Sequence, residues 1–206
     1  MPLAVVPLST DAIALPGDVR AFLREAERRV ERFQRDHLIP GFVASDFPRA
    51  YAVLRALSET AAAPGKLFCE WGSGFGVVAC LAAMLDFDAC GIEVDATLVD
   101  AARLLAEDFG LPVEFVCGSF IPDEALADLD PQEFAWLSTE RRGGEEQLEL
   151  GPADFDVVFA YPWPDEEGVV ASLFERHAGA GAVLVSYHGG EEFRVRRKTR
   201  RHRKRA

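Results

Sequence analysis

The chain has 206 residues and a formal net charge of −12, from 22 Lys and Arg and 34 Asp and Glu. Nine of the basic residues lie in the last 13 positions, which contain no acid, so residues 1–193 hold 13 basic and 34 acidic side chains, a net −21. A body of this acidity repels phosphate backbones and is a poor non-specific binder of nucleic acid. With 49% hydrophobic residues, the composition excludes a disordered body and suits one domain.

Three simple features of the sequence exclude or disfavour further functional classes. The longest uncharged stretch, Trp71 to Leu85, has 15 residues and is too short to span a bilayer, so we expect no membrane protein. The N-terminus lacks the basic region of a secretory signal, which predicts a cytoplasmic protein. The cysteines form no closely spaced pair and lie near no histidine cluster, so we expect buried thiols and no metal site: Cys69, Cys80, Cys90 and Cys117.

Two amphipathic helices are predicted before the first buried strand, and they form an N-terminal helical extension over residues 1–63. In the first, over about 18–36, apolar residues recur at steps of three and four, and Pro40-Gly41 ends the helix. The second, over about 47–60, begins after Ser45-Asp46 and ends at a Pro-Gly turn. Both helices must bury an apolar face against the rest of the chain.

From residue 64 onwards, short apolar runs alternate with segments of helical length. This alternation is typical of a parallel sheet with helices on both faces. We therefore predict an α/β core over 64–193 with a doubly wound, mostly parallel sheet. The predicted strands are Lys66 to Trp71, Ala89 to Val94, Val113 to Cys117, Asp156 to Ala160 and Ala182 to Tyr187, and the predicted helices cover about 75–85, 95–109 and 166–178.

An acidic insertion is predicted over residues 123–150, where nine acids accompany only two arginines. It interrupts the alternation of strands and helices. We expect a surface segment with a short helix near Pro131 to Leu137 and a mobile tip at Gly143-Gly144.

The most informative segment is a strand that runs into a glycine turn, Leu67-Phe68-Cys69-Glu70-Trp71-Gly72-Ser73-Gly74-Phe75-Gly76. Glycines at alternate positions permit positive φ angles and let a ligand approach the backbone. The dinucleotide fingerprint needs glycine where Val77 stands, which disfavours a nicotinamide-dependent oxidoreductase, and no P-loop sequence is present. A tight strand-to-helix connection without a ligand is the minority alternative.

The spacing Glu70-x-Gly72-x-Gly74-x-Gly76 resembles motif I of the class I S-adenosylmethionine-dependent methyltransferases, in which an acid ends the first strand before a G-x-G-x-G loop. The resemblance continues at Gly91-Ile92-Glu93-Val94-Asp95, where an acid ends the second strand. It covers about residues 64–190. It implies a Rossmann-like methyltransferase fold with S-adenosylmethionine as the cofactor.

The resemblance also implies roles for individual cofactor-binding residues. Glu70 would help to hold the methionine end, and Glu93 would accept hydrogen bonds from both ribose hydroxyls. Ser119 and Phe120 would lie beside the adenine, although many family members have an acid where Ser119 stands, and a structural role for Ser119 is an equal alternative. The turn would lie against the carboxypropyl group and the ribose through Gly72, Ser73, Gly74 and Gly76.

The acceptor side is predicted at the loop after Asp156 to Ala160, because open α/β sheets bind ligands at the carboxyl ends of their strands. In methyltransferases this loop is motif IV. Here it has no Asn or Asp at its start, which argues against a base amino group as acceptor, while the acids at 165–167 suit a helix start. The catalytic candidates are Tyr161 and Trp163, which would align the acceptor and attract cations, and His188, which would take a proton from an amine unless it is merely solvated.

The sequence contains few residues after the last predicted parallel strand. Class I methyltransferases usually add a helix and an antiparallel hairpin there, but only 16 residues follow Gly190. We expect an abbreviated C-terminal strand region, with at most one short strand around Phe193 and Val195, and an edge left bare or covered by the N-terminal helices or a partner. Residues 194–206 are predicted to be a basic tail. Three interpretations of this tail stay open: a solvated extension, an arm folded on the acidic body, or an anchor for an anionic partner such as RNA.

These features predict an S-adenosylmethionine-dependent methyltransferase that acts on an unidentified, nitrogen-bearing acceptor, either a small molecule or a protein. The alternative is a non-catalytic cofactor-binding module that recruits nucleic acid through residues 194–206. In both cases nucleic acid would be met only by the tail, and the sequence leaves the oligomeric state open.

Overall fold

The computed structural model describes residues 3–10, 14–37, 39, 42–128, 143–190 and 192–199. Within these residues the chain forms seven strands and six α-helices. The strands are β1 (Leu3–Val5), β2 (Leu67–Trp71), β3 (Asp88–Glu93), β4 (Val113–Cys117), β5 (Val157–Ala160), β6 (Val183–Tyr187) and β7 (Phe193–Lys198). The helices are α1 (Gly17–Asp36), α2 (Phe47–Thr60), α3 (Val77–Ala83), α4 (Ala96–Asp108), α5 (Gly144–Leu148) and α6 (Glu167–His177), with 3₁₀ turns at Asp123–Asp128 and Pro164–Glu166.

The seven strands form one sheet in the order β1-β7-β6-β5-β2-β3-β4. Strands β2 to β6 pair in parallel, and β7 runs antiparallel between β6 and β1. The chain fills the sheet outwards from β2 through β3 to β4, and then returns to the other side of β2 with β5 and β6. The predicted doubly wound, mostly parallel α/β fold is confirmed, and β2 and β5 flank its topological switch point.

The two faces of the sheet bury separate apolar clusters, because successive residues of each central strand point to opposite sides. Phe68 and Phe159 face the cluster that holds the apolar residues of α1 to α4. Cys69 and Val158 face the cluster that holds α6 and Leu148 of α5. Strands β5 and β6 are buried along their whole length, which explains their almost unbroken apolar sequence.

The N-terminal helices pack on the core as their periodicity predicts. Helix α1 buries one stripe of apolar side chains: Val19, Phe22, Leu23, Ala26 and Val30. Asp46 is the N-cap of helix α2, and its carboxylate accepts a hydrogen bond of 3.1 Å from the N–H of Arg49. Ala61, the C-cap, lies in the left-handed region. The apolar residues of both helices belong to the same cluster as Phe68 of β2.

The C-terminal segment differs from the prediction of a basic tail that starts at residue 194. Phe193–Lys198 forms a six-residue strand that pairs with β6 from Val183 to Tyr187, and β1 pairs with its other side. The prediction failed because three of the basic side chains have partners in the fold. The ammonium of Lys198 is buried and donates to the backbone carbonyls of Arg176 and Ala178 at the end of α6, and Arg197 donates to the carbonyl of Ala62. Arg194 contacts Glu167 and Glu192.

The acidic insertion is only partly described. The predicted helix at 131–137 lies outside the described residues. The expected mobile tip at Gly143-Gly144 is wrong, because Gly144 is buried against the loop after β4, where a Cβ on Gly118 would lie 2.5 Å from the Gly144 nitrogen. Gln147 of α5 also donates a 2.9 Å hydrogen bond to the carbonyl of Cys117. Close backbone packing is the reason for glycine here.

Candidate functional site

A cavity of about 600 Å³ opens at the carboxyl ends of β2, β3 and β5, at the switch point of the sheet. Its volume lies in the range of small-molecule sites. Four parts of the described chain form its walls: Ile39 with residues 42–45 and 47, the glycine turn, the loops after β3 and β4, and the loop after β5 together with His188.

The glycine turn is held against the end of β3. The N–H groups of Gly72 and Ser73 both donate to the carbonyl of Ile92, at 2.9 and 3.0 Å, and the N–H of Gly76 donates to Ser73 at 2.7 Å. Gly72, Gly74 and Gly76 have φ angles of +69°, +52° and +70°. Side chains are strained in this region, which explains the three glycines.

The three glycines differ in what their Cα atoms face. Gly72 is open to the cavity, while a Cβ on Gly74 would lie 2.8 Å from the ring of Phe42. A Cβ on Gly76 would lie 2.4 Å from the ring of Phe115, and Gly76 does not line the cavity. The turn and core packing both require glycine at position 76, and its contact with a cofactor stays a prediction.

Glu93 is the acid that joins the cavity to the glycine turn. Its side chain is buried, and its two carboxylate oxygens accept hydrogen bonds from Gly74 (2.8 Å) and Asp95 (2.9 Å). Each carboxylate oxygen can accept a further bond, so Glu93 keeps capacity for ligand hydroxyl groups. Burial raises the pKa of Glu93, while the backbone donors oppose this shift.

Glu70 lies deeper, at the end of β2. Its carboxylate accepts a 2.8 Å hydrogen bond from the N–H of Ala79 in α3. Burial raises the pKa of Glu70 well above its usual range, and the nearby charge of Glu93 adds to the shift. A positively charged ligand group in the cavity would relieve this unfavourable burial.

Ser73 supplies the clearest sign that the cavity accommodates a polar ligand. Its side chain is 5% exposed, and its Oγ has no hydrogen-bond partner among the described residues. Buried hydroxyl groups are nearly always hydrogen-bonded. Because Ser73 lines the cavity, a ligand is the natural partner for this hydroxyl.

The predicted adenine side also lines the cavity. Ser119 is buried, and its Oγ accepts a 3.1 Å hydrogen bond from the N–H of Ile121. The ring of Phe120 stacks on Trp71, with centroids 5.0 Å apart and planes inclined by 5°. The structure therefore gives Ser119 a role in shaping the loop and places a flat aromatic surface beside it.

Sequence reasoning missed one part of the wall, which consists of Ile39 and residues 42–45 and 47. Phe42 lies over Gly74 and packs edge-on against Phe33, which belongs to α1. Val43 lines the cavity and is 48% exposed. The apolar sequence of residues 42–44, between two predicted amphipathic helices, was the available signal, because loops between such helices are usually polar.

On the acceptor side, Tyr161 and Trp163 both line the cavity, as predicted for the loop after β5. Tyr161 is half-buried, with its ring 4.6 Å from that of Tyr187. Burial raises the pKa of Tyr161, so its hydroxyl stays neutral. These side chains give this end of the cavity a rigid aromatic wall.

The acids that follow this loop begin a helix, as predicted: Asp165 and Glu166 lie in the 3₁₀ turn Pro164–Glu166, and Glu167 is the first residue of α6. Glu166 is 2% exposed and lines the cavity, as does Glu167, while Asp165 between the loop and these two is exposed and lies outside it. The burial of Glu166 was not predicted: the 3₁₀ turn Pro164–Glu166 directs Glu166 inwards and leaves Asp165 exposed.

His188 lines the cavity but contacts two protein groups. Its Nε2 lies 2.8 Å from Oγ of Ser186, and its Nδ1 lies 2.8 Å from Oε1 of Glu167, a close ionic contact whose angles fall outside those of a hydrogen bond. The side chain is 3% exposed. Both ring nitrogens therefore lie beside protein groups, and the role of His188 as a proton acceptor stays a prediction.

Within the described part of the chain, no group of three or more His, Cys, Asp or Glu side chains could hold a metal ion. In the same residues, no helix combines the length and the hydrophobicity needed to cross a membrane.

No family model and no curated protein matches the sequence. The fold is similar to that of the RNA methyltransferase from Salinibacter ruber in complex with S-adenosylhomocysteine (TM-score 0.52, 18% identity, 79% of this chain and 98% of that chain). It is also similar to the O-methyltransferase from Bacillus cereus in complex with S-adenosylhomocysteine (0.53, 15%, 85% and 68%). A third similar structure is the O-methyltransferase TomG from Streptomyces achromogenes in complex with S-adenosylmethionine (0.51, 19%, 86% and 68%).

Identities this low establish a common fold and leave the acceptor open. The order of the parallel strands, the glycine turn after β2 and the acids that end β2 and β3 all lie where the resemblance placed them. The chain has the fold of the class I S-adenosylmethionine-dependent methyltransferases.

Proposed function

We propose that this protein is an S-adenosylmethionine-dependent methyltransferase that methylates a nitrogen-bearing acceptor. The observation that carries the proposal is the cavity at the switch point, where Glu93, Glu70 and the unpartnered hydroxyl of Ser73 meet the glycine turn. When bound, this cofactor supplies a methyl group on a positively charged sulfur, which a nucleophile displaces.

The polar groups of the cavity suit such a cofactor in chemical type. Glu93 has acceptor capacity for two ribose hydroxyls, and Glu70 offers a carboxylate whose burial is unfavourable without a cation nearby. Ser73 provides a buried hydroxyl, and Phe120 a flat surface for a base. The three similar structures contain S-adenosylmethionine or S-adenosylhomocysteine, which supports the same assignment.

The remaining walls of the cavity would align the acceptor and exclude water. Methyl transfer needs the nucleophile, the methyl carbon and the leaving sulfur in one line, and most of the rate gain comes from holding that geometry. Tyr161 and Trp163 flank Pro162, which limits the freedom of the loop. Phe42 and its neighbours close the cavity from the N-terminal side.

Calorimetry with S-adenosylmethionine and S-adenosylhomocysteine tests the cofactor. We expect both to bind the intact protein, and we expect Gly74→Arg to abolish the binding heat, because its side chain would enter the cavity beside Phe42. Gly110→Arg is the matched control, since Gly110 has a similar φ of +61° but lies in an exposed turn with open space around it. No binding to the intact protein would refute the proposal, and tight binding of NADH instead would favour an oxidoreductase.

Methyl transfer itself is tested with tritium-labelled S-adenosylmethionine and a fractionated cell extract. We expect one fraction to give a labelled product, and we expect no labelled product when the extract is acetylated beforehand. Acetylation converts amines into amides, whose nitrogen lone pair is delocalised and a poor nucleophile. A labelled product that survives acetylation would contradict a nitrogen acceptor of this kind.

The alternative, a module that recruits nucleic acid through a basic tail, stays a prediction. Because Arg194 to Lys198 belong to β7, a test by deletion must start at Arg200, beyond the last strand. Removal of residues 200–206 should leave the unfolding transition unchanged. Salt-sensitive RNA binding that disappears with this deletion, together with absent methyl transfer, would favour the alternative.

A further inference from the structure

An apolar patch forms part of the cavity wall on the side of the N-terminal helices. It consists of Phe42, Val43 and Tyr161, which all line the cavity. Phe42 and Tyr161 pack against the apolar cluster on one face of the sheet. Phe120, the flat surface proposed for the adenine, packs against the cluster on the opposite face. The apolar patch therefore lies apart from the proposed adenine site and borders the space that remains for the acceptor.

Val43 is the most exposed member of the apolar patch. It is 48% exposed, and among the described residues only Val5 and Leu104 are large apolar residues of comparable exposure. Those two residues lie on β1 and α4, outside the cavity wall, whereas Val43 lies in the wall. Exposed apolar surface inside a cavity of small-molecule size favours a ligand with an apolar part.

The two aromatic members of the patch are held in place by other rings. Phe42 packs edge-on against Phe33, with centroids 6.3 Å apart, and stacks on Phe75, with centroids 6.5 Å apart and planes inclined by 27°. The ring of Tyr161 lies 4.6 Å from that of Tyr187. A preformed aromatic wall suits a flat, rigid acceptor, because binding then has to order little of the protein or of the ligand.

The titratable side chains that follow the loop after β5 already have partners within the protein. Oε1 of Glu167 lies 2.8 Å from Nδ1 of His188, and Oε2 accepts a 2.8 Å hydrogen bond from Arg194. Nε2 of His188 lies 2.8 Å from Oγ of Ser186. Glu166 is buried and has a partner as well. A charged acceptor would therefore lose its hydration here and would have to compete for side chains that are already paired, which is costly.

The proposed reaction also requires a nitrogen that keeps its lone pair. An aliphatic amine, like the side chain of lysine, is protonated at neutral pH and has no lone pair to offer. The conjugate acid of an aromatic amine is a much stronger acid. An aromatic amine is therefore uncharged at neutral pH, and its nitrogen can attack directly.

From these contacts we infer that the acceptor is an uncharged aromatic amine whose ring lies against the apolar patch. The inference rests on the proposed function and adds the chemical class of the acceptor. The nitrogen lone pair forms the bond to the methyl carbon while the bond from that carbon to sulfur breaks, and the electron pair of the broken bond passes to sulfur. The nitrogen, now positively charged, then releases one proton to water.

Three compounds of similar size test the charge of the acceptor. The full-length protein is saturated with S-adenosylhomocysteine, and the binding of 4-ethylaniline, 2-phenylethylamine and 4-ethylphenol is measured by calorimetry at neutral pH. The first two are isomers, one uncharged and one cationic. We expect 4-ethylaniline to bind about tenfold more tightly than its cationic isomer, and 4-ethylphenol, which is also uncharged, to bind with similar affinity. With tritium-labelled S-adenosylmethionine, 4-ethylaniline should be methylated faster than 4-ethylphenol, whose hydroxyl must lose a proton to become a good nucleophile.

Val43→Asp tests whether the apolar patch is the surface that binds the acceptor. A carboxylate in the patch should weaken the binding of 4-ethylaniline by about tenfold and reduce the preference over the cationic isomer. The affinity for S-adenosylhomocysteine, measured first on every variant, should stay within about twofold. Leu104→Asp is the matched control, because Leu104 is 55% exposed on α4 and lies outside the cavity wall. It should leave both affinities unchanged.

The outcomes distinguish the acceptor class from the proposed function. If the unaltered protein does not bind S-adenosylhomocysteine, the proposed function is wrong. If it binds S-adenosylhomocysteine but not 4-ethylaniline, binds 2-phenylethylamine more tightly, or methylates 4-ethylphenol faster, the acceptor class is wrong. Undiminished affinity of Val43→Asp for 4-ethylaniline would overturn the role of the apolar patch. A loss of S-adenosylhomocysteine affinity in this variant, with the control unaffected, would overturn it as well and assign the patch to the cofactor.

Discussion

Oε2 of Glu93 accepts a 2.8 Å hydrogen bond from the N–H of Gly74, and so joins the end of β3 to the glycine turn after β2. The two residues are 19 positions apart, and both line the cavity. The acid therefore shapes the turn before any ligand binds. A cofactor would find the turn already in its binding conformation, which reduces the ordering that binding must impose.

Glu93→Gln should weaken both the fold and cofactor binding. An amide has only one acceptor oxygen, so either Gly74 or Asp95 would face an NH₂ group and lose its buried hydrogen bond. We expect the free energy of unfolding to fall by about 1–3 kcal/mol, measured by urea denaturation, and the affinity for S-adenosylhomocysteine to fall at least tenfold. Glu114→Gln is the control, because Glu114 is exposed on β4. Unchanged affinity in Glu93→Gln would show that the carboxylate is dispensable.

Glu70→Gln should change the pH dependence of stability. Burial raises the pKa of Glu70 well above 4.5, so in the folded protein the neutral form is favoured. The stability that this group contributes is complete below the pKa of the unfolded chain and is lost as the pH rises through the raised folded pKa. Glutamine keeps an acceptor for the N–H of Ala79 and carries no charge.

We therefore expect the free energy of unfolding of the natural protein to decline as the pH rises from about 4.5 towards the raised pKa, and we expect this decline to be smaller in Glu70→Gln. Near neutral pH the variant should be at least as stable, yet bind S-adenosylmethionine more weakly, because it lacks the charge that would face the ammonium group. Urea titrations at several pH values measure the first effect and calorimetry the second. Parallel pH profiles for the two proteins would contradict the burial argument.

Gly72→Ala and Gly76→Ala separate backbone strain from core packing. Both positions have φ near +70°, so alanine introduces similar strain, about 1–2 kcal/mol. At Gly72 no atom lies within 4 Å of the new Cβ, whereas at Gly76 the ring of Phe115 and Cβ of Ala102 lie at 2.4 and 2.8 Å. Gly76→Ala should therefore be less stable than Gly72→Ala by about a further 1–3 kcal/mol.

Ligand binding should show the reverse order. Gly72→Ala should weaken the binding of S-adenosylhomocysteine more than Gly76→Ala does, because only Gly72 lines the cavity. Phe115→Leu should recover part of the stability lost in Gly76→Ala, which a double-mutant cycle in urea would measure. Equal losses of stability at the two positions would mean that Phe115 moves aside without difficulty.

The sequence predicted those elements whose signal is local. The helices over 18–36 and 47–60 follow from apolar periodicity, and β2 to β6 follow from short apolar runs. The spacing from Glu70 to Gly76 and the acid at Glu93 predicted the cavity wall. All of these features depend on residues within one turn or one strand of each other.

The elements that the sequence did not predict depend on distant partners. β1 is only three residues long, and it pairs with β7, which lies about 190 positions away in the sequence. β7 has the composition of a solvated tail, and only its contacts with α6 and Ala62 make Arg197 and Lys198 part of the fold. Glu166 turns inwards because of a 3₁₀ turn, and no pattern in the sequence indicates that turn.

His188→Ala tests whether this histidine positions Glu167. The change leaves Oγ of Ser186, which is fully buried, without the ring nitrogen at 2.8 Å, and the free energy of unfolding should fall by about 1–3 kcal/mol. It also removes the main cause of the lowered pKa of Glu167, so that pKa should rise towards its ordinary value. A carboxyl group with a lowered pKa stabilises the folded protein at pH values above its unfolded pKa. The loss of unfolding free energy that comes from Glu167 should therefore be complete at neutral pH and should disappear in acid.

In the assay with tritium-labelled S-adenosylmethionine and cell extract, His188→Ala should form labelled product several-fold more slowly. Its affinity for S-adenosylhomocysteine should stay within about twofold, because only the acceptor end of the cavity is disturbed. His188→Gln should recover part of the rate, since its amide can still donate to Glu167. His177→Ala is the control, because His177 lies 3.5 Å from the exposed Glu124 and such surface pairs contribute about 0–1 kcal/mol. If the rate falls equally in His177→Ala, or if the glutamine variant recovers nothing, His188 does not act by holding Glu167.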